Sequence, residues 1–410
     1  KYLLEANVRY DGSSRFRSNN RWGLFPSFSI GYNIAKETFF QPLTPYVNTL
    51  KFRASYGSLG NQNTNLYYPT YQAMGFSNVS GSWLINGQKP NIAWPPSLIS
   101  KGLTWEEIRS WNIGLDFSLL NNRLTGSFDY FIRKTLNMIG PADELPVILG
   151  TSVPNTNNTD LQTKGFELEL AWRDRAFNSL NYGIRFVLSD AQAQITRYSN
   201  PSGTLSKYYS GMKWGEIWGY QSIGIAQSDD QMLEHIASLP NGGQNSLGSD
   251  WQAGDIMFKD VNNDGRIDSG AYTIDDHGDL VVIGNTTPRF NYGIDLTAEW
   301  KGVDFRLFLQ GVGKRDYFQR SKYFFGSIGG SKWGTMVLKQ HLDYYRDDPD
   351  HPLGLNKNSY YPRPYLDNGK NYQTQTKYLQ NAAYMRVKNL QIGYTLPSRI
   401  TNLLGISNFR

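Results

Sequence analysis

Apolar and polar residues alternate with period two through much of this chain. Trp111, Ile113, Leu115 and Phe117 share one side of a segment, and Asn112, Gly114 and Asp116 the other. Leu124, Phe128, Tyr130 and Ile132 alternate with Thr125, Ser127 and Asp129, and Phe166, Leu168, Leu170 and Trp172 with Glu167, Glu169 and Ala171. The same pattern runs through Tyr292–Trp300 and Val303–Gln310. Strand side chains point to opposite faces in turn, so each segment predicts a strand with one apolar and one charged face. The expected architecture is antiparallel β throughout, with about a dozen strands and the last beginning at Ile406–Arg410. Ile113, Leu115, Phe117, Leu168, Leu170, Leu296, Leu307 and Leu309 belong on the apolar face. Asp116, Glu167, Glu169, Asp295 and Arg306 belong on the polar one. A slip of one residue would exchange the two faces, so the register is strongly specified.

The connections are unequal. Leu120–Arg123 and Lys301-Gly302 are short turns, whereas 61–101, 140–160, 229–287 and 315–380 are long and polar. Short turns on one rim and long loops on the other describe an outer-membrane β-barrel, with the short turns periplasmic. Tyr292 and Trp300 stand eight residues apart, roughly 26 Å along a strand, which tilted spans an apolar band of about 25 Å. A soluble β-sandwich also alternates, but it buries its second face, and pairs such as Glu167/Glu169 and Asp304/Arg306 oppose that.

Composition sharpens this picture. Aromatic residues make up 14% of the 410 residues while hydrophobic residues reach only 39%, and mean hydropathy is -0.51. A wall with one face in lipid and the other in water needs that mixture. Absence of cysteine rules out a disulfide framework and thiol catalysis and suits an oxidising compartment. A net charge of +6 without a clustered basic run gives no sign of nucleic-acid binding. No apolar stretch approaches the roughly 18 residues of a transmembrane helix. The opening KYLLEANVRY already reads as a strand, so the sequence is expected to be part of a longer polypeptide.

One segment breaks the alternation. Eight aspartates lie between Asp250 and Asp279, against two basic residues, Lys259 and Arg266. Asp260-x-Asn262-x-Asp264-Gly265 has the oxygen spacing of a calcium loop, with glycine at the sharp turn. The expected ligands of a structural Ca²⁺ are Asp260, Asn262, Asp264, the Arg266 carbonyl and Asp268. The twelfth position is Ala271, so Asp276 or Asp279 would have to fold back as the missing carboxylate. The competing reading is a solvated acidic turn whose side chains cap the backbone.

Catalytic constellations are not visible. His235, His277, His341 and His351 are scattered without metal or nucleophile spacing, and Glu106 and Glu107 diverge on a strand. Gly211, Gly215 and Gly219 lack the strand–helix setting of a phosphate loop. Aromatic groups in the long connections are more suggestive: Tyr67, Tyr68, Tyr71 and Trp83 in one, Tyr208, Tyr209, Trp214 and Trp218 in another. Flat rings stack on sugars while neighbouring Asn and Asp bond hydroxyls, so Tyr68, Tyr71, Trp83 and Trp214 are the candidate ligand contacts. The competing reading is that these rings pack the loops or meet a lid.

Several segments resemble the SusC/RagA family of TonB-dependent outer-membrane transporters of Bacteroidota. Tyr10–Phe16 is similar to its DGSSRF segment, Leu50–Gly57 with Gly60-Asn61 to LKLRASYG…GN, and Leu103–Glu106 with Asn112–Asp116 to LTWE…NIGLD. Thr163–Glu169 resembles NKGFELEL, and the aspartate segment with Ile283–Asn285 and Pro288–Phe290 resembles DVNGDGKID…IGN…PRF. Tyr384–Leu390 and Gly393–Pro397 resemble YLRLKNLTLGYTLP. The matches run in family order from residue 1 to about 400. The resemblance implies a barrel of about 22 strands, of which residues 1–410 would be a carboxy-terminal portion lacking the plug, the TonB box and the last strands. It further implies a SusD-like surface lipoprotein as lid, TonB as energy source through parts outside this chain, and a dimer of transporter–lipoprotein pairs. The expected function is import of an oligomeric nutrient, glycan first and peptide second, across the outer membrane, with lipid around the barrel and no catalytic cofactor. The alternative is a passive porin or a structural surface barrel; an enzyme on barrel strands would need a converging nucleophile or acid–base set.

Overall fold

The computed structural model describes residues 1–64, 67–78, 84–94, 96, 98–142, 148, 153–177, 179–326, 337–365, 369–403, 405–407 and 409–410. Ten strands form one antiparallel sheet: β1 (Tyr2–Gly12), β2 (Trp22–Asn33), β3 (Val47–Asn61), β4 (Glu106–Leu119), β5 (Leu124–Pro141), β6 (Asn155–Ala176), β7 (Leu180–Arg197), β8 (Arg289–Trp300), β9 (Val303–Lys314) and β10 (Tyr384–Tyr394). Each strand pairs with its neighbour in sequence, so the sheet is a meander.

Register follows the alternation. Ala54, Ile113, Tyr130 and Phe166 stand opposite one another across β3 to β6, and Leu170, Phe186, Ile294 and Leu309 form a second apolar row across β6 to β9. Asp116 faces Ser127, which faces Glu169, and Asp295 faces Arg185. All thirteen face assignments named above have this parity. Stacked aromatic pairs mark both ends of the first hairpin: Tyr2 on Tyr32 at 4.9 Å and Tyr10 on Trp22 at 5.0 Å. Aromatic rings at both borders of an apolar band are the membrane-interface girdles of a barrel wall.

Turns explain the rims. Lys301 and Gly302 both take positive φ (46° and 88°), the two-residue hairpin geometry that glycine favours and that matches strand twist. Leu120, Asn121 and Asn122 likewise take positive φ between β4 and β5. The opposite rim carries the connections 13–21, 62–105, 142–154, 198–288 and 315–383.

The two longest connections fold together instead of lying as loops. Ile217, Tyr220, Ile256, Phe258, Ile267, Phe318, Phe325, Tyr345, Tyr361 and Tyr378 form a shared buried core. A short strand Ser222–Ile225 pairs with Ile256–Phe258, and Glu216–Gly219 pairs with Val281–Asn285. Helix α1 (Asp229–Ala237) starts at Ser228, whose side chain accepts from the Gln231 N–H, and buries Met232, an N-cap and apolar-face pattern. Expectation and structure differ in three places here. The module contains a helix, so antiparallel β throughout holds only for the sheet. The connection expected at 229–287 is longer, 198–288, because Glu216–Gly219 and Ser222–Ile225 pair inside the module and not in the wall. The described residues of Ile406–Arg410 are not in a strand: Pro397 cannot continue the ladder of β10, helix Ser398–Leu403 follows it, and the Phe409 carbonyl accepts from the Leu396 N–H.

Candidate ligand-facing surface

The polar face of the sheet is lined with charges that neutralise one another. Arg53 donates to both oxygens of Asp116 at 2.8 Å and to Asp129 at 2.9 Å. Arg185 grips Glu169 (2.7 and 2.8 Å) and Arg306 grips Asp295 (3.0 and 2.7 Å). Arg410 closes on Asp304. Four expected lumen residues, Asp116, Glu169, Asp295 and Arg306, are thus in bidentate pairs, and Glu167 stands opposite Asp129 on the same face. Half-exposed pairs of this kind add about 0–1 kcal/mol each. Their effect is on the surface: it is hydrophilic and rich in fixed hydrogen-bonding groups, with its charges locally balanced.

At the long-loop rim the aromatic candidates separate into two groups. Tyr68 and Tyr71 are 67% and 66% exposed and meet edge to face at 6.1 Å, while Tyr67 lies under the Arg15 guanidinium at 5.3 Å. Trp83 lies outside the described residues. Trp214, 43% exposed, leans on Tyr208 at 5.5 Å, and Tyr208 on Tyr198 at 5.6 Å. The Trp214 carbonyl accepts from Asn285 Nδ2 and Thr287 Oγ1, which fixes the backbone beneath the ring. No ring contact joins the two groups among the described residues. Tyr209 and Trp218, neighbours in sequence, point inward: Tyr209 is buried with its hydroxyl on Glu216, and Trp218 packs on His277 at 5.4 Å.

The aspartate segment is a closed turn. Asp260 Oδ2 accepts from the Gly265 N–H at 2.9 Å, Asn262 Oδ1 from Asp264 N at 3.1 Å, and Asp264 Oδ1 from Arg266 N at 3.0 Å. The Arg266 guanidinium lies between Asp264 and Asp268, at 3.2 and 2.9 Å. Asp276 and Asp279 both fold back onto backbone donors: Asp276 takes the Ala271 N–H, and Asp279 those of Val261 (2.7 Å) and Asp268 (2.9 Å). Asp279 is fully buried. Burial raises its pKa above the usual carboxylate range and Asp260 adds to this, while the Val261 and Asp268 N–H groups pull it down. Among the described residues no three acidic or histidine side chains gather in a metal-holding arrangement. One oxygen is left over: Asp260 Oδ1 is buried without a hydrogen-bond partner.

A node with no sequence signal ties the module together. Lys370 Nζ is 2.6 Å from Asp255 Oδ2, and both side chains are 0% exposed. The histidines stay apart, His235 on Gln244, His341 on the Leu338 N–H and the Tyr323 carbonyl, and His351 on Tyr344, with no nucleophile bonded to any of them among the described residues.

An antiparallel meander with an apolar outer face, a polar inner face and elaborate loops on one rim defines the wall of an outer-membrane transporter. Residues 1–409 match the family described as TonB dependent receptor-like, beta-barrel. The chain belongs to that family, whose members are outer-membrane receptors and not enzymes. It is similar to the TonB-dependent receptor P3 of Formosa agariphila, 27% identical over 100% of this chain and 38% of the relative. It is also similar to the TonB-dependent receptor SusC of Bacteroides thetaiotaomicron, 25% identical over 96% of this chain and 36% of the relative. The solved RagAB peptide transporter shares the fold, with a TM-score of 0.73 and 21% identity over 97% of this chain and 40% of that one. The chain therefore spans well under half the length of these relatives.

Proposed function

We propose that residues 1–410 are the carboxy-terminal portion of the barrel of an active importer that takes an oligomeric nutrient, a glycan before a peptide, across the outer membrane. The observation that carries this is the pairing of the inner face: Arg53, Arg185 and Arg306 are each held by carboxylates of the same wall. A neutral polyhydroxylated ligand finds hydrogen bonds there without meeting a strong field, while exposed rings at Tyr68, Tyr71 and Trp214 offer stacking surfaces at the mouth. A lumen wide enough for an oligomer would leak if open. The reading therefore includes a plug, a SusD-like lipoprotein over the mouth and energy delivered through TonB, all outside this chain, with pairs of such complexes dimerising. The test is uptake of a labelled oligosaccharide, and separately of a labelled peptide, by cells with the gene intact, deleted, or lacking the TonB-contacting segment. Accumulation only in the intact strain supports the reading. Equal accumulation without the TonB-contacting segment replaces it with the passive porin.

The aspartate turn receives a second proposal, that it holds a structural Ca²⁺ through Asp260, Asn262, Asp264, the Arg266 carbonyl and Asp268, with Asp276 and Asp279 behind them. What supports it is the partnerless Asp260 Oδ1 at the first position of the spacing. Binding requires the Arg266 guanidinium to release Asp268, so affinity depends on that exchange of one cation for another.

A further inference from the structure

The outer face carries a feature that import does not use. Arg109 stands opposite Lys134, Lys134 opposite Gln162, Gln162 opposite Gln194 and Gln194 opposite Lys213. This is one unbroken row across β4 to β7 and onto the segment that follows. By strand parity it lies on the same face as Trp111, Ile113, Ile132 and Phe166, about 7 Å beyond the row of Trp111 and Ile132 toward the long-loop rim. Lys164 stands opposite Ile132 and Gln192, in the Trp111–Ile132 row itself, one step below the Lys134 row. Trp111 packs on Tyr56 at 4.5 Å, which marks the upper border of the apolar band. The row is therefore at headgroup height, on the lipid side.

Its lysines are uncompensated and its carboxylates are not. Glu107 is gripped by Arg109 at 2.8 and 2.7 Å, Asp160 by Arg197 at 2.7 and 2.8 Å, and Asp190 by Arg289. Glu216 is taken by the Tyr209 hydroxyl and the Lys213 N–H. Lys134, Lys164 and Lys213 are exposed, and among the described residues no carboxylate lies within ion-pair distance of any of them. The row ends in a cleft of about 440 Å³ lined by Lys213, Arg289 and Lys314 beside Gln192, together with the carboxylates of Glu216 and Asp316. At the opposite rim the arrangement differs: Lys1 is held by Glu37, Arg123 by Asp174, and Lys301 sits over Trp300.

We propose that Lys134, Lys164 and Lys213 form a docking strip for the phosphorylated headgroup of an outer-leaflet glycolipid. The strip from Arg109 to Lys213 crosses four strand spacings, about 19 Å, long enough for more than one phosphate. Acyl chains then lie below Lys164, from the row of Ile113, Tyr130 and Phe166 downward, and each lysine meets phosphate as a mobile point charge. Arg109, balanced by Glu107, and Gln162 supply donors to the sugar, while the Gln194 amide is held on the Gly211 carbonyl.

The experiment uses the full-length protein reconstituted in nanodiscs that contain either a phosphorylated outer-membrane glycolipid or the same lipid after enzymatic dephosphorylation. Lipid retained on extraction is counted by native mass spectrometry. The variants are Lys134→Gln/Lys164→Gln/Lys213→Gln and, as a control at the other rim, Lys301→Gln. Retention of the phosphorylated lipid by wild type and by Lys301→Gln, with a fall of about fivefold per lysine and about a hundredfold for the triple variant, supports the strip. Heat-modifiable migration on gels, unchanged in the triple variant, shows that the barrel is intact. Equal retention of the dephosphorylated lipid means that the apolar face alone holds it, and equal retention by the triple variant means that these lysines do not; either result overturns the proposal.

Discussion

Replacing Lys370 by methionine should release the extracellular module from within. Lys370 Nζ contacts Asp255, donates to the carbonyls of Asp250 (2.8 Å) and Ser249 (3.2 Å), and lies over the rings of Tyr365 (4.3 Å) and Trp251 (5.0 Å). Asp255 accepts in addition from Gln252 N, the Tyr365 hydroxyl and Asn371 Nδ2. Lys370 belongs to the connection 315–383 and Asp255 to 198–288, so this contact pins the two halves of the module to each other. Methionine keeps the length of the side chain but leaves the Asp255 carboxylate buried with three neutral donors and no cation. Breaking a buried pair in this way costs about 3–5 kcal/mol, whereas removing both charges together is often near neutral. At 1.4 kcal/mol per decade the loss amounts to about two to four orders of magnitude in local opening.

Hydrogen exchange in the full-length, detergent-solubilised protein reads that opening directly at Ile256 and Phe258, whose amides donate to Asn371 Oδ1 and Gln244 Oε1. The single variant should exchange faster there by that factor, and Lys370→Met/Asp255→Asn should recover at least half of the loss. If the single variant stays within threefold of wild type, or if the double variant is as labile as the single, the pair does not hold the module together.

Four further outcomes follow from the same structure. Gly254 has φ +87° and an added Cβ would lie 2.4 Å from Tyr345 Cδ1, so Gly254→Ala should destabilise the module by about 1–3 kcal/mol through overpacking and strain, read by the same exchange measurement. Calcium should slow exchange at the Val261 and Asp268 amides and chelator should reverse it, with no such difference in Asp260→Ala; chelation without effect in wild type removes the ion. Burial lowers the pKa of His235, with its Gln244 contact acting the other way, so the neutral ring is favoured in the folded state. Its stabilisation is present above the unfolded value of about 6.5 and is lost as pH falls through the folded value below that, so wild type should lose more stability on acidification than His235→Gln. Cysteine at Leu168 should react with a lipid-soluble thiol reagent and cysteine at Glu169 with a water-soluble one, and reversed labelling would invert the two faces.

The wall is legible from local pattern because a meander leaves little else to decide. Alternation assigns Ile113 and Phe166 to one face and Asp116 and Glu169 to the other, and short turns such as Lys301-Gly302 assign each strand its neighbour. Face and neighbour together imply the register, and the ion pairs Arg53–Asp116 and Arg306–Asp295 come with it. The module has no such period. Tyr220, Ile256, Tyr345 and Tyr378 meet only after two separate connections interlock, and nothing near Lys370 in sequence points to Asp255. Composition also does not distinguish a ring that fills this core from one that faces outward. Tyr208 and Tyr209 are adjacent, yet Tyr209 is buried on Glu216 while Tyr208 supports Trp214. The calcium spacing fails to decide its case for a related reason: it places Asp260, Asn262 and Asp264 on one turn, but whether their oxygens meet an ion or N–H donors depends on Arg266, which stands inside the same loop. The exposed rings are therefore defined by exclusion. Once Phe325, Tyr361 and Tyr378 fill the interior, Tyr68, Tyr71 and Trp214 are among the large flat surfaces left outside, and a ligand at the mouth has to meet what the core does not consume.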